Sequence, residues 1–283
     1  MDQRTLVAAM AGLNLSATRF FPSLDSTNDE ASRWIEAGAP DRALVVADEQ
    51  TAGRGRAGHH WVTPPGAALA FSLILYPTQN SPQLLSRLTA IGALAIKDAL
   101  QKKFGLQAQI KWPNDVLLDK RKVAGVLAEA RWNGETLKAI ILGIGINIAP
   151  VSISQAVLPA EKLNFPATCL EAALGCPANR LDVLHAVLKE LLAWQPRLYS
   201  PEFIREWETS LAFRNEWVEL LPGELFQSTD PERISPPLEI GKVMGLAPDG
   251  SLKLLTRSGK VVTTQVGEIH LKPLADHPSM PTA

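Results

Sequence analysis

The sequence predicts an α+β protein: a mixed, largely antiparallel sheet flanked by helices, followed by a small C-terminal β-barrel. Three observations predict it. Short apolar strands gather at Leu44–Asp48, Ala67–Leu75 and between Ile110 and Ile146, with turn residues between them. One long helical period, Ser81–Phe104, puts Leu84, Leu88, Ile91, Ala95 and Ala99 on a single face. Beyond Arg214 the texture becomes short and β-rich, over a stretch of about 60 residues, a size at which a small core is marginal alone and gains from docking. The corresponding units are 1–212 and 213–283.

Composition supports a globular chain. Of 283 residues, 46% are hydrophobic and 20% charged, enough apolar matter for a proper core and incompatible with dominant disorder. Lys and Arg number 28 against 29 Asp and Glu, a formal charge of −1, which excludes a grossly basic nucleic-acid binder. Cys169 and Cys176 have no Cys/His neighbours, so they read as thiols in a reducing cytoplasm and hold no metal. The runs Gly66–Leu75, interrupted by Ser72, and Ala139–Ile146 fall short of the roughly 18 residues a membrane helix needs. Leu6–Leu13 lacks the positive flank of an export signal, because Asp2 and Arg4 cancel; it reads as an amphipathic helix capped by Asp2.

Arg19–Phe21 is extended, and Ser26 or Thr27 caps a helix from Asp29 to Ala37 whose first turn carries Asp29 and Glu30. After Leu44–Asp48 comes a loop, Gln50–His60, holding Gly53, Gly55 and Gly58. Trp61–Val62 and Ala67–Leu75 read as a hairpin turned at Thr63–Gly66. Gly105 ends the long helix. Ile110–Trp112, stopped by Pro113, precedes strands at Val116–Leu118, Lys122–Ala130 and Thr136–Ile146. Helices follow at Cys169–Leu174, Arg180–Arg197 and Pro201–Leu211. The tail has strands at Val218–Leu221, Leu238–Leu246, Ser251–Leu255 and Lys260–Gln265, with turns at Asp249-Gly250 and Ser258-Gly259 and a surface insertion at Pro222–Pro237.

Four segments can carry chemistry. In Gly53-Arg54-Gly55-Arg56-Ala57-Gly58 the glycines let backbone N–H groups approach an anion, and the arginines offer planar forks for phosphate or carboxylate. Taken alone, the segment is equally an unliganded basic loop. Lys111-Trp112-Pro113-Asn114-Asp115 sets one cation at a strand end beside a cleft, or is a solvated lysine before an ordinary Asn-Asp turn. In Asp119–Gly125 three consecutive cations form either a wet turn or a strand start from which Lys122 points at a phosphate. Gly143-Ile144-Gly145-Ile146-Asn147 is a strand open to close approach, ending in an Asn able to donate and accept. Together, Arg54, Arg56, Lys111 and Lys122 suit a small polyanion such as a nucleoside triphosphate.

The order of these segments resembles the biotin–protein ligases. The matching stretches are Asp25-Ser26-Thr27-Asn28, Glu49–Gly58, Trp61, Lys111–Asp115, Arg121–Leu127 and Gly143–Asn147, with Val266–Ile269 similar to the last strand of that family. The resemblance implies a class II synthetase-like catalytic domain and an SH3-like barrel. It also implies ATP-dependent activation of biotin to biotinyl-5′-AMP, with Mg²⁺ on the ATP, and transfer to a lysine of a biotin carboxyl carrier domain in the cytoplasm. By position, Ser26, Thr27, Asn28 and Gln50 would line the biotin pocket. Arg54, Gly55 and Arg56 would close over biotin and the adenylate phosphate, and Lys111 would stand between carboxylate and α-phosphate. Lys111 and Arg56 are thus the catalytic candidates. Trp61, Asn114, Lys122 and Asn147 fall on the nucleotide side, with Arg56, and Phe165 is the candidate to stack on adenine. His59 and Ala57 stand where the family often has arginine, so the closed loop holds its ligand with fewer charges.

A lipoate or octanoate ligase of the same fold is the nearest alternative, and a biotin-sensing repressor the alternative from another class. About 25 residues precede Ser26, too few for a winged-helix domain, so a monofunctional ligase without DNA binding is expected. The resemblance allows a homodimer without fixing one.

Overall fold

The computed structural model describes residues 1–61, 63–79, 81, 83–154, 166–222, 239–264 and 269–273. Helix α1 (Gln3–Ala9) is capped as expected: the Asp2 carboxylate accepts from the Thr5 N–H at 2.7 Å, and the Thr5 hydroxyl reciprocates in a capping box. Strand β1 (Ala17–Phe21) leads to α2 (Thr27–Glu36), which starts at Thr27 rather than Asp29; Ser26 is the extended N-cap residue, but its hydroxyl makes no capping bond. Strands β2 (Ala43–Ala47) and β3 (Ala68–Leu75) precede the long helix α3 (Leu84–Phe104), closed by Gly105 in the left-handed conformation. Then come β4 (Ala108–Lys111), β5 (Asp115–Leu118), β6 (Arg121–Asn133) and β7 (Thr136–Asn147). Helices α4 (Val151–Ser154), α5 (Leu170–Leu174), α6 (Arg180–Trp194) and α7 (Pro201–Thr209) follow. Pro196 turns the end of the expected Arg180–Arg197 helix into a separate 3₁₀ turn, Gln195–Arg197.

The first seven strands form one sheet in the order β1-β2-β3-β7-β6-β5-β4, parallel between β1 and β2 and antiparallel elsewhere. Its two faces are covered unequally. One packs Leu69, Phe71, Leu73, Leu142 and Ile144 in a common core with α3 and α6; the other packs Val45, Ile74, Ala139 and Ile141 against Trp34 and Ile35 of α2. Helix α2 covers only part of that second face, and the remainder carries the site.

The expected hairpin between Trp61 and Ala67–Leu75 does not form. Strand β3 pairs with β2 and β7, while the Trp61 N–H donates to the Gly53 carbonyl at 2.9 Å and folds the chain back on the glycine loop. The cause is strand order: β7 pairs along the whole of β3 and β2 takes its other edge over Ala70–Leu73, which leaves Trp61 to pair locally.

A second, antiparallel sheet has five strands, β8 (Trp217–Pro222), β9 (Glu239–Leu246), β10 (Leu252–Thr256), β11 (Val261–Thr264) and β12 (Ile269–Pro273), in the order β11-β10-β9-β8-β12. It is the expected small SH3-like unit. The last strand begins at Ile269, and most of the stretch Val266–Ile269 and of the insertion Pro222–Pro237 lies outside the described residues. The first sheet's β4 edge is covered by the chain leading to this unit: Ile110 N–H donates to Ser210 O and Ala212 N–H to Ile110 O, both at 2.8 Å. Among the described residues no helix is long and apolar enough to cross a membrane.

Candidate active site

The first group of candidate residues stands at the start of α2. Ser26, Thr27 and Asn28 are all buried there, although two of them carry polar groups beyond the helix cap. Their hydrogen bonds explain why this is tolerated. The Gln50 side-chain carbonyl accepts from the Thr27 N–H at 2.7 Å and from its hydroxyl at 3.0 Å, and the Gln50 amide donates to Thr63 Oγ1 at 3.3 Å. Ser72, in the middle of apolar β3 and wholly buried, places its Oγ 2.8 Å from Thr27 Oγ1 and 2.6 Å from Asn28 Oδ1. In the sequence Ser72 is only an interruption of an apolar run; here it is the buried polar anchor of Thr27 and Asn28.

The glycine–arginine segment is a short hairpin rather than an open loop. Arg54 bridges His60, the Gly55 N–H donates to His59 O at 2.6 Å, and a 3₁₀ turn over Arg56–Gly58 forms the tip. At its base, Trp61 lies flat against β7 at Gly145, where a Cβ would overlap the indole. Asn28 occupies the same relation to Gly143. The two glycines of Gly143-Ile144-Gly145 therefore face one side of the sheet and admit one side chain each. Trp61 Nε1 is buried and donates to no group among the described residues.

The charged centre sits where β4, β5 and β6 meet. Lys111 and Asp115 are cross-strand partners in the β4–β5 ladder, and Asp115 pairs onward with Gly125 of β6. The buried Asp115 carboxylate lies 2.6 Å from Lys122 Nζ and 3.5 Å from Lys111 Nζ, so one anion serves two ammonium groups. Burial opposes ionisation of Asp115, but Lys122 and Lys111 overcome it and hold its carboxyl below the ordinary range. Lys111, 5% exposed, is also shifted downward, but from a different cause: burial first, then repulsion by Lys122 and Arg56, lower its ammonium despite the attraction of Asp115. A downward shift favours the charged form of a carboxyl and the neutral form of an amine, so the same direction keeps Asp115 ionised and makes the Lys111 proton easier to lose. Arg56 adds a smaller repulsion to the Lys111 ammonium, so positive charge from β6 and the hairpin tip acts on one buried amine of β4.

The remaining candidates are partly committed to the scaffold. Asn114 Nδ2 donates to Val126 O at 3.0 Å, and Asn147, at the end of β7, donates to Thr168 O at 3.1 Å. Lys122 lies 5.7 Å from the Trp61 ring centroid, and its N–H donates to Pro166 O, bringing the 166–168 segment alongside β6. Phe165 lies outside the described residues. Arg54 meets carboxylates: Nη1 and Nη2 lie 3.0 and 3.1 Å from the two Glu129 oxygens, and Nη2 lies 2.6 Å from Asp29 Oδ1. Asp115 and Glu129 carry no assignment in the sequence reading, because each earns its partners from strand register. Among the described residues, no group of three or more His, Cys, Asp or Glu side chains could hold a metal.

The biotin/lipoate A/B protein ligase family model matches residues 20–147, the span that holds α2, the hairpin and both lysines. A biotin--[acetyl-CoA-carboxylase] ligase of Paracoccus denitrificans is 36% identical over 196 residues, 69% of this chain and 76% of that protein. The bifunctional ligase/repressor BirA of Bacillus subtilis is 36% identical over 168 residues, 58% of this chain; the match spans about half of that protein's length, 49%. Among solved structures, biotin protein ligase from Aquifex aeolicus in complex with biotin and ATP has a TM-score of 0.73 at 29% identity, covering 92% of this chain and all of that one. Sheet, hairpin and lysine cleft define a catalytic unit of the biotin/lipoate ligase class. Within that class, the chain belongs to the biotin protein ligases.

Proposed function

We propose that this chain joins biotin to ATP as biotinyl-5′-AMP and passes the biotinyl group to a lysine of a biotin carboxyl carrier domain. The observation that carries the proposal is the buried centre in which Lys111 and Lys122 share the single carboxylate of Asp115. The first step brings a carboxylate onto the α-phosphorus of ATP; a carboxylate oxygen bonds to phosphorus and pyrophosphate leaves. Two anions must meet, and fixed cations at their junction offset the repulsion without reorganising. Magnesium carried by the nucleotide would add positive charge for the departing pyrophosphate. In the second step the neutral amine of the carrier lysine attacks the acyl carbon, AMP leaves with the bonding electron pair, and the amine sheds a proton. Water competes for that acyl carbon, so cover over the intermediate decides the yield.

In this reading Ser26, Thr27, Asn28 and Gln50 hold biotin. Arg54, Gly55 and Arg56 form the cover, with Lys111 between carboxylate and phosphate. Trp61, Asn114, Lys122, Asn147 and Phe165 serve the nucleotide. Residues 1–212 form the catalytic unit and 213–283 the barrel. The free cysteines Cys169 and Cys176 suit a reducing cytoplasm. The test is to incubate the chain with magnesium, ATP, biotin and a carrier domain and to weigh the carrier. A gain of one biotinyl group on its lysine is expected. A carrier modified only when lipoate or octanoate replaces biotin overturns the assignment of substrate, and no modification with any acid overturns the assignment of activity.

A further inference from the structure

We infer that Glu129 is a positioning residue that latches the glycine–arginine hairpin to the biotin pocket, with Arg54 as the bolt. The inference rests on the reading above and deepens it. Arg54 leaves the hairpin sideways and meets both oxygens of Glu129 at 3.0 and 3.1 Å, the planar, two-point geometry that a guanidinium makes best, while Asp29 in the first turn of α2 takes the same Nη2 at 2.6 Å. Glu129 Oε2 also accepts from Asn28 Nδ2 at 2.6 Å, and Asn28 Oδ1 is 2.6 Å from buried Ser72 Oγ. Hairpin, β6, α2 and β3 are thus joined through one carboxylate. Glu129 is the more sheltered member, 19% exposed at its side chain against 40% for Arg54 and 37% for Asp29.

The consequence is a division of labour between two arginines spaced two residues apart. Arg56, at the tip, adds its charge to the Lys111 cleft. Arg54 spends its charge on two carboxylates of the scaffold, so it fixes the hairpin base and leaves the ligand to Arg56. Because Asn28 lines the pocket and shares Glu129 with Arg54, the base of the cover and the pocket wall move together.

The experiment uses the full chain and two readouts. Trypsin cutting at Arg56–Ala57, without ligands, reports how firmly the hairpin is held. The lifetime of bound biotinyl-5′-AMP after free nucleotide is removed reports the cover. Glu129→Gln keeps a carbonyl oxygen for Asn28 and removes the charged fork; it should speed cutting at Arg56 on the order of tenfold at low salt and shorten the adenylate lifetime by a similar factor. Arg54→Gln should do at least as much, because it also releases Asp29, and the double variant should be no faster than Arg54→Gln alone, since removing Glu129 then breaks no further contact of that arginine. Asp29→Asn should give a smaller effect. Raising salt should bring the wild type partway towards the variants, because the pair is partly exposed. Cutting of Glu129→Gln at the wild-type rate overturns the latch, and so does acceleration at Lys120 and Arg257 as well as at Arg56, which would mean a general loosening. If the wild type makes no adenylate, the function proposed above fails, while the protease result still judges the latch.

Discussion

Lys111 shows how much one buried residue depends on its neighbours. The motif Lys111–Asp115 marks the lysine in the sequence, but its depressed ammonium comes from burial and from Lys122 and Arg56, which reach it only through the sheet and the hairpin. Removing the cation at the junction of two anions should cost about 3 kcal/mol of transition-state stabilisation, roughly a hundredfold in rate. Lys111→Ala is therefore expected to slow biotin-dependent pyrophosphate release by about that factor, measured at saturating substrates. Near-normal release would remove Lys111 from the reaction. A pH effect accompanies it. A lysine lowered in the folded state has lost its proton while the unfolded chain still holds one, so between the two values the unfolded state binds more protons and stability rises with pH. The unfolding free energy of the ligand-free wild type should climb relative to Lys111→Met as pH rises towards the ordinary value of 10.5. Parallel denaturant titrations across that range check it. Asp115 was legible only as an ordinary turn, because a carboxylate becomes a bridge between two lysines once β4, β5 and β6 are in register.

Elements set the depth of the site. Strand β7 offers a floor at Gly143 and Gly145 on which Asn28 and Trp61 rest, and the hairpin base follows Trp61. Alanine in the interior of a strand is favoured over glycine by roughly 0.5–1 kcal/mol, so Gly145→Ala should leave the strand sound. Its methyl group instead needs the space of the indole. We expect Gly145→Ala to keep the wild-type unfolding midpoint within a few degrees while weakening biotin binding about tenfold or more. Its tryptophan emission should shift to the red, and the shift should vanish when Trp61→Phe is combined with it. An unchanged emission would mean that Trp61 does not lie on that floor. The glycine spacing was readable as room for close approach; what fills the room was not, since Asn28 and Trp61 come from segments 115 and 84 residues before their glycines. The expected hairpin at Trp61 failed for the same reason, as local turn signals carry no information on which distant strand satisfies β3.

At the scale of the molecule, the turn between β9 and β10 of the second sheet meets the end of β4. Trp112, next to Lys111 and 1% exposed, donates its indole N–H to Gly250 O at 3.1 Å. Gly250 has a φ of +89° and lies against Trp207, so the turn between β9 and β10 admits no side chain at that point. Around it, Arg87 donates to Pro248 O at 3.0 Å and the Leu246 N–H to Glu208 Oε2 at 2.7 Å. The strand that delivers Lys111 is thus held on one side by β5 and on the other by Ser210 and Ala212, with the second sheet beneath its tryptophan. Trp112→Phe conserves most of the ring and orphans a buried carbonyl, which should cost about 1–3 kcal/mol. Urea unfolding is expected to show that loss as a lower midpoint with an unchanged slope, and the turnover number is expected to fall more than the apparent affinity for biotin. Equal stability of the variant and wild type would mean that the bond at Gly250 contributes nothing.

By itself the sequence determined the class of fold, the helix caps at Asp2 and Gly105, the segments that bear charge and, through their order, the family. Those properties are local: a cap, a glycine turn or a motif is specified by residues within a few positions of one another. Only the tertiary structure decided that Asp115 bridges two lysines, that Ser72 and Glu129 hold the side chains at the start of α2, and that Arg54 meets Glu129 and Asp29. These depend on contacts between residues far apart in the chain, where strand register and burial, rather than composition, set which charges meet and how strongly they act.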